Sequence, residues 1–142
     1  MTMRKKKVLC GGCFDILHIG HINFLKKAKG FGDELIILLE SDENTKKLKG
    51  KNRPFHNIKE RLEILNSLKL VDKIVVLPKD TSDKTYKEFV LKIKPDVIAI
   101  TERDPLMNIK RTQARLVEAR LRIIKRYKSF STTQIAKILE LE

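Results

Sequence analysis

The chain has 142 residues, of which 42% are hydrophobic and 35% charged, and its formal net charge is +13. This is the composition of one folded globular domain over 1–142; it excludes a disordered chain and a disulfide-stapled miniprotein. The positive excess suits polyanionic ligands such as nucleotides, nucleic acid or an anionic surface, although the lysines are spread along the whole chain and part of the excess is ordinary solvated surface.

In chain order, Val8–Cys10 reads as a short buried strand that ends at a Gly11-Gly12 turn. Ile22–Lys29 has apolar residues at helical spacing (Ile22, Leu25, Ala28), lysines on the other face, and Gly30 as its stop. Glu34–Leu39 holds a continuous apolar run, the mark of a strand covered on both faces. The polar, lysine-rich stretch from Asp42 to Asn57 reads as a functional loop that can include a short helical turn. Ile58–Leu68 is an amphipathic helix, Lys73–Leu77 a third strand, Tyr86–Ile93 a helix stopped by Pro95, and Val97–Ile100 a fourth strand. Asn108–Ala119 is helical by pattern, Arg120–Ile124 a short fifth strand, and Thr132–Leu141 a closing helix. Strands alternating with helices predict a Rossmann-like open α/β sheet. It is mainly parallel, with about five strands and helices on both faces. Ligands of such sheets sit at the carboxyl ends of the strands, where the Gly11-Gly12 turn falls.

Cys10 and Cys13 form a C-x-x-C pair, but no second Cys/His pair stands at zinc spacing, so both read as reduced thiols. With no long apolar run and no signal-peptide pattern, a cytoplasmic protein without a membrane span is expected.

The chemistry is concentrated in Gly12-Cys13-Phe14-Asp15-Ile16-Leu17-His18-Ile19-Gly20-His21. This segment follows a strand and opens a helix, where backbone N–H groups and the helix dipole favour an anion. His18 and His21, three residues apart, share one face of the first turn, and both can donate to one phosphate. Gly11 and Gly12 let the backbone bend and come close to the ligand, and Gly20 leaves room for the nucleotide. A reading of the two histidines as helix caps alone is set aside.

The ten-residue block resembles the G-x-F-D-x-x-H-x-G-H signature of the cytidylyltransferase-like nucleotidyltransferase superfamily. A second block comprises Ser41-Asp42, Lys46, Leu48-Lys49-Gly50, Arg53-Pro54 and Arg61; it is similar to the heptose 1-phosphate adenylyltransferase domain within that superfamily. The resemblance implies transfer of a nucleotidyl group, AMP favoured, from a nucleoside triphosphate to a phosphorylated small molecule such as a sugar phosphate. Pyrophosphate is released, and Mg²⁺ accompanies the triphosphate without a dedicated set of protein ligands. It implies catalytic roles for His18, His21 and Lys49, with Lys46 the second loop lysine, and nucleotide or phosphate contacts for Gly12, Cys13, Phe14, Asp15 and Gly20. Arg61 stays open between a ligand contact and an ion pair, for example with Asp42 at a dimer interface.

Arg126 and the segment Ser131-Thr132-Thr133 are similar to the phosphate-holding start of the last helix in the cytidylyltransferases, which keeps CTP as the alternative to ATP. After the fourth strand the heptose enzymes carry K-G-G-D-Y. Here Thr101-Glu102-Arg103-Asp104-Pro105 stands in its place, and only Asp104 aligns as a nucleotide contact. A homodimer is implied. The alternatives are a glycerol-3-phosphate-type cytidylyltransferase, an FAD synthase, or an inactive nucleotide- or RNA-binding module. With no tryptophan and two tyrosines, stacking platforms for nucleic acid are sparse.

Overall fold

The computed structural model describes residues 4–128 together with Gln134 and Lys137. The chain runs β1 (Lys7–Gly12), α1 (Ile19–Lys29), β2 (Glu34–Leu39), α2 (Asp42–Lys49), α3 (Ile58–Asn66), β3 (Lys73–Val76), α4 (Asp83–Ile93), β4 (Val97–Thr101), α5 (Met107–Leu116) and β5 (Arg120–Ile124). The five strands form one parallel sheet in the order β3-β2-β1-β4-β5. The chain winds outward from β1 through β2 to β3, then crosses back to lay β4 on the other side of β1. The order therefore reverses at β1, and its carboxyl end opens the crevice that such a reversal creates.

Period-two alternation divides the strand side chains between two cores. Val8, Cys10, Leu35, Ile37, Leu39, Val97 and Ala99 face a layer that includes Leu25 and Ala28 of α1 and Leu65 of α3. Leu9, Ile36, Leu38, Ile98 and Ile100 face the opposite layer, with Val90 of α4 and Ala114 of α5. Helices thus cover both faces, and β2 is apolar from Leu35 to Leu39 because neither face of that run meets water. The predicted strands all form, within a residue or two of their expected ends. Lys94 closes α4 in the left-handed conformation, directly before Pro95.

One expectation is corrected. The stretch from Asp42 is not a loop: its first eight residues are α2, capped by Ser41 Oγ, which accepts from Asn44 N at 3.1 Å. Apolar periodicity could not reveal this helix, because the residues it buries are Asn44 and Thr45. Its stability signals are electrostatic, with Asp42 and Glu43 in the first turn and Lys46, Lys47 and Lys49 in the last. The closing helix expected over Thr132–Leu141 lies outside the described residues.

Candidate active site

At the carboxyl end of β1 the chain makes a tight loop into α1. Gly11 and Gly12 do not provide the bend, since both are still in the strand. Phe14 (φ 49°) and Ile16 (φ 52°) provide it, in the left-handed region that non-glycine residues seldom enter. The glycines answer steric demands instead. A β-carbon on Gly11 would lie 2.3 Å from the Tyr86 hydroxyl, and one on Gly12 would lie 3.1 Å from the Phe14 ring. Gly20 makes room first of all for an enzyme group: its β-carbon would meet His18 Cε1 at 2.7 Å.

The loop is held from behind. Asp15 is buried, and its carboxylate accepts from Arg53 Nε at 2.8 Å, Phe55 N at 2.7 Å and His56 N at 2.9 Å. Burial pushes this carboxyl up, but the N–H groups of His56, Arg53 and Phe55 outweigh it and hold the group below its ordinary range. Asp15 borders the cleft, with these three hydrogen bonds engaging its oxygens in the scaffold. Arg61 is fully buried and donates to the carbonyls of Cys13 (2.7 Å), Glu40 (2.9 Å) and His56 (3.0 Å), and to Asp42 Oδ1 (2.7 Å). The Arg61–Asp42 ion pair therefore exists, within one chain. Arg61 ties the ends of β1 and β2 to α3 and does not line the cleft.

The two histidines form a reciprocal cap on α1. His18 Nδ1 accepts from Gly20 N at 3.0 Å, and His21 Nδ1 accepts from His18 N at 3.2 Å. An imidazole whose Nδ1 accepts must carry its proton on Nε2 when neutral. The cap thus fixes both tautomers and leaves two Nε2–H donors on rings whose centroids are 4.1 Å apart. Capping, set aside at first, is the means by which the donors are prepared. Burial lowers the pKa of His18. His21 is brought down to about 4 by burial first, then by His18 and Lys49.

A pH dependence follows, and its sign is determined. Protonating His21 places a hydrogen on Nδ1 and destroys its acceptor. The folded-state pKa of about 4 lies below the ordinary 6.5, so the unfolded chain binds the proton more readily. The stability contributed by neutral His21 is complete above about pH 6.5 and is lost as pH falls toward 4, on the order of 2–3 kcal/mol. Urea unfolding of wild type and His21→Gln between pH 7 and pH 4 should show this component in the wild type alone. Parallel pH dependences would refute it.

These groups open into a cleft of about 960 Å³ lined by the β1–α1 loop, the end of α2, the start of α4, α5 and the segment after β5. Gly12, Cys13, Phe14, Asp15, His18, Gly20, His21, Lys49, Asp104 and Arg126 all border it. Lys49 acts electrostatically on both His21 and Cys13. Lys46, one turn earlier on α2, is exposed outside the cleft, and Lys47 borders it instead. Asp104 accepts from Lys110 Nζ at 2.6 Å and from Leu106 N at 2.8 Å. Ser131 and Thr132 lie outside the described residues. The sequence reading missed Glu40, Tyr86, Lys110 and Gln113, which also line the cleft. Glu40 could have been found, because it directly follows a buried strand at its carboxyl end. The others sit inside helices whose apolar pattern reported only packing.

A cytidylyltransferase-like family matches residues 9–138. The chain belongs to that family. It is 44% identical over 101 residues to an FAD synthase of Thermococcus sibiricus, covering 70% of this chain and 66% of that protein. It is 45% identical over 97 residues to the bifunctional protein HldE of Aliarcobacter butzleri, covering 68% of this chain and 20% of that protein. Among solved structures, a lipopolysaccharide core biosynthesis protein from Thermoplasma volcanium superposes with a TM-score of 0.68 at 27% identity, over 89% of this chain and all of that one. A pantoate-beta-alanine ligase from Francisella tularensis shares the fold alone, with a TM-score of 0.67 at 14% identity, over 91% of this chain and 62% of that one. No helix among the described residues is long and apolar enough to cross a membrane.

Proposed function

We propose that this member of the cytidylyltransferase-like family is a nucleotidyltransferase. It moves a nucleotidyl group, AMP by preference, from a nucleoside triphosphate to the phosphate of a small molecule such as a sugar phosphate. The observation that carries this reading is the pair of neutral Nε2–H donors fixed by the His18–His21 cap at a helix N-terminus, with Lys49 in the same cleft. In the reaction an acceptor phosphate oxygen attacks the α-phosphorus, the bond to the bridging oxygen breaks, and pyrophosphate leaves. Negative charge grows on the α-phosphoryl and leaving oxygens, where preorganised donors and a lysine lower the barrier. No enzyme nucleophile is needed, which agrees with a cleft whose cysteine, Cys13, has its thiol pKa raised by burial. Arg126, exposed at the other rim, adds charge where the departing phosphates emerge.

Mg²⁺ fits as an ion brought in by the triphosphate. Among the described residues no group of three or more His, Cys, Asp or Glu could hold a metal. Of the carboxylates bordering the cleft, Asp15 is bonded to Arg53 and Asp104 to Lys110. Carried in with the triphosphate, the ion would supply charge neutralisation.

A second reading, FMN as acceptor, is favoured by the 44% identity to the Thermococcus sibiricus FAD synthase. A pyrophosphate-release screen of ATP and CTP against sugar phosphates, glycerol 3-phosphate and FMN tests both. Turnover of ATP with a sugar phosphate is expected. Release with no pair would favour a binding module. Calorimetry with each Mg²⁺–nucleotide complex tests the base: CTP binding at least about tenfold tighter, a difference of about 1.4 kcal/mol, would replace the adenylyl assignment.

A further inference from the structure

The cleft has a second wall that phosphate chemistry does not use. The end of β2, the loop between β4 and α5, and the facing sides of α4 and α5 bring Glu40, Asp104, Tyr86, Lys110 and Gln113 to it. Gln113 is only 4% exposed, and its Oε1 has no hydrogen-bond partner among the described residues. A buried amide oxygen left unpaired is costly, and its persistence calls for an explanation outside the free fold. Lys110 precedes Gln113 by one helical turn and projects from the same side of α5. Its side chain is 14% exposed and is held by Asp104. Glu40 is within electrostatic reach of Lys110; burial raises its carboxyl pKa, opposed by Asn44, Lys110 and Arg61. The Tyr86 hydroxyl rests against Gly11, between this wall and the phosphate loop.

We propose that this wall is the acceptor's specificity subsite and that Gln113 and Lys110 read the hydroxyls of a polyhydroxylated carbon chain. The inference rests on the transferase reading above and deepens it. Oxygen acceptors (Glu40, Asp104, Gln113) stand beside donors (Lys110, Tyr86 and the Gln113 amide), which suits vicinal hydroxyls, since each of those both donates and accepts. A flat fused ring would strip water from these charged groups and return no hydrogen bonds across its face. Ring-binding sites are lined instead by apolar and aromatic surface with few polar groups. A site built to bond hydroxyls also rejects acceptors that lack them, because its own buried groups are then left unpaired.

The test is Gln113→Met in the full chain, read in two ways. Methionine keeps the length of the side chain and removes its hydrogen bonding. With Mg²⁺–ATP, the KM for a sugar phosphate is expected to rise about tenfold, while the KM for ATP moves by less than about twofold. The thermal midpoint is expected to hold or rise, because a side chain with an unpaired buried oxygen has been replaced by an apolar one. Gln113→Glu, which keeps the oxygen acceptors, should recover part of the acceptor affinity. A lowered midpoint with an unchanged acceptor KM would make Gln113 a structural residue and overturn the proposal. So would a wild-type kcat/KM higher for a phosphate ester without vicinal hydroxyls than for every polyol or sugar phosphate, which would leave the transferase reading standing. No pyrophosphate release with any acceptor would remove both.

Discussion

His18→Asn is expected to fold as well as the wild type and to turn over roughly 100-fold or more slowly. Asparagine is among the best N-caps, so the bond now made from Gly20 N to His18 Nδ1 can be replaced. What asparagine lacks is the Nε2–H on the far side of the ring. The variant therefore separates the two tasks of one residue: Nδ1 organises the helix and Nε2 meets the charge that develops during transfer. His18→Ala should lose both, with a similar fall in turnover and about 1 kcal/mol of stability besides. His21→Ala should match it in rate, since His21 also caps through Nδ1 and presents Nε2. Urea unfolding and steady-state pyrophosphate release on the three variants give the comparison. Near-normal turnover in His18→Asn would sink the mechanism.

Arg61→Met is expected to cost about 3–5 kcal/mol, a large share of the 5–15 kcal/mol that holds a typical domain together. The guanidinium is wholly buried, and its hydrogen bonds close the carbonyls of Cys13, Glu40 and His56 and the Asp42 carboxylate. Methionine fills much of the volume and satisfies none of these groups, so buried oxygens are left without donors. Asp42→Asn should cost far less. Its side chain is 36% exposed, and an amide oxygen can still accept from Arg61. Equilibrium unfolding ranks the two variants. A loss below about 1 kcal/mol for Arg61→Met would mean that the brace carries little of the load.

Much of the architecture was legible because the apolar pattern of the strands is unambiguous. Leu35 to Leu39 has the continuous apolar run typical of a strand covered on both faces, and the two cores bear it out residue by residue. Helix α2 was illegible for the opposite reason: it buries Asn44 and Thr45 in place of an apolar stripe, and the periodicity test has nothing to detect. The end of the cleft beside β1 and α1 was legible as a motif, but the motif mixes two kinds of residue. His18, His21 and Lys49 face the cleft, while Arg53, at its border, and Arg61, behind it, brace the loop through contacts 38 and 48 residues away along the chain. Spacing alone could not sort them. Gln113 was invisible for a related reason, since a glutamine in an amphipathic helix announces nothing until its surroundings are known.

Ile16, at φ 52°, holds a conformation that a β-branched residue resists at a cost of order 1–3 kcal/mol. It lies two residues before the helix cap, so this energy is stored in the segment that aims His18. Selection for heat resistance alone would press on this position, since asparagine or glycine accepts the conformation with far less strain. The same substitution would loosen the approach to the cap. Thermal robustness and catalytic geometry are therefore opposed at a single codon, and a lineage of this protein adapting to a hotter habitat gains its stability more safely in the two cores than at the mouth of its cleft.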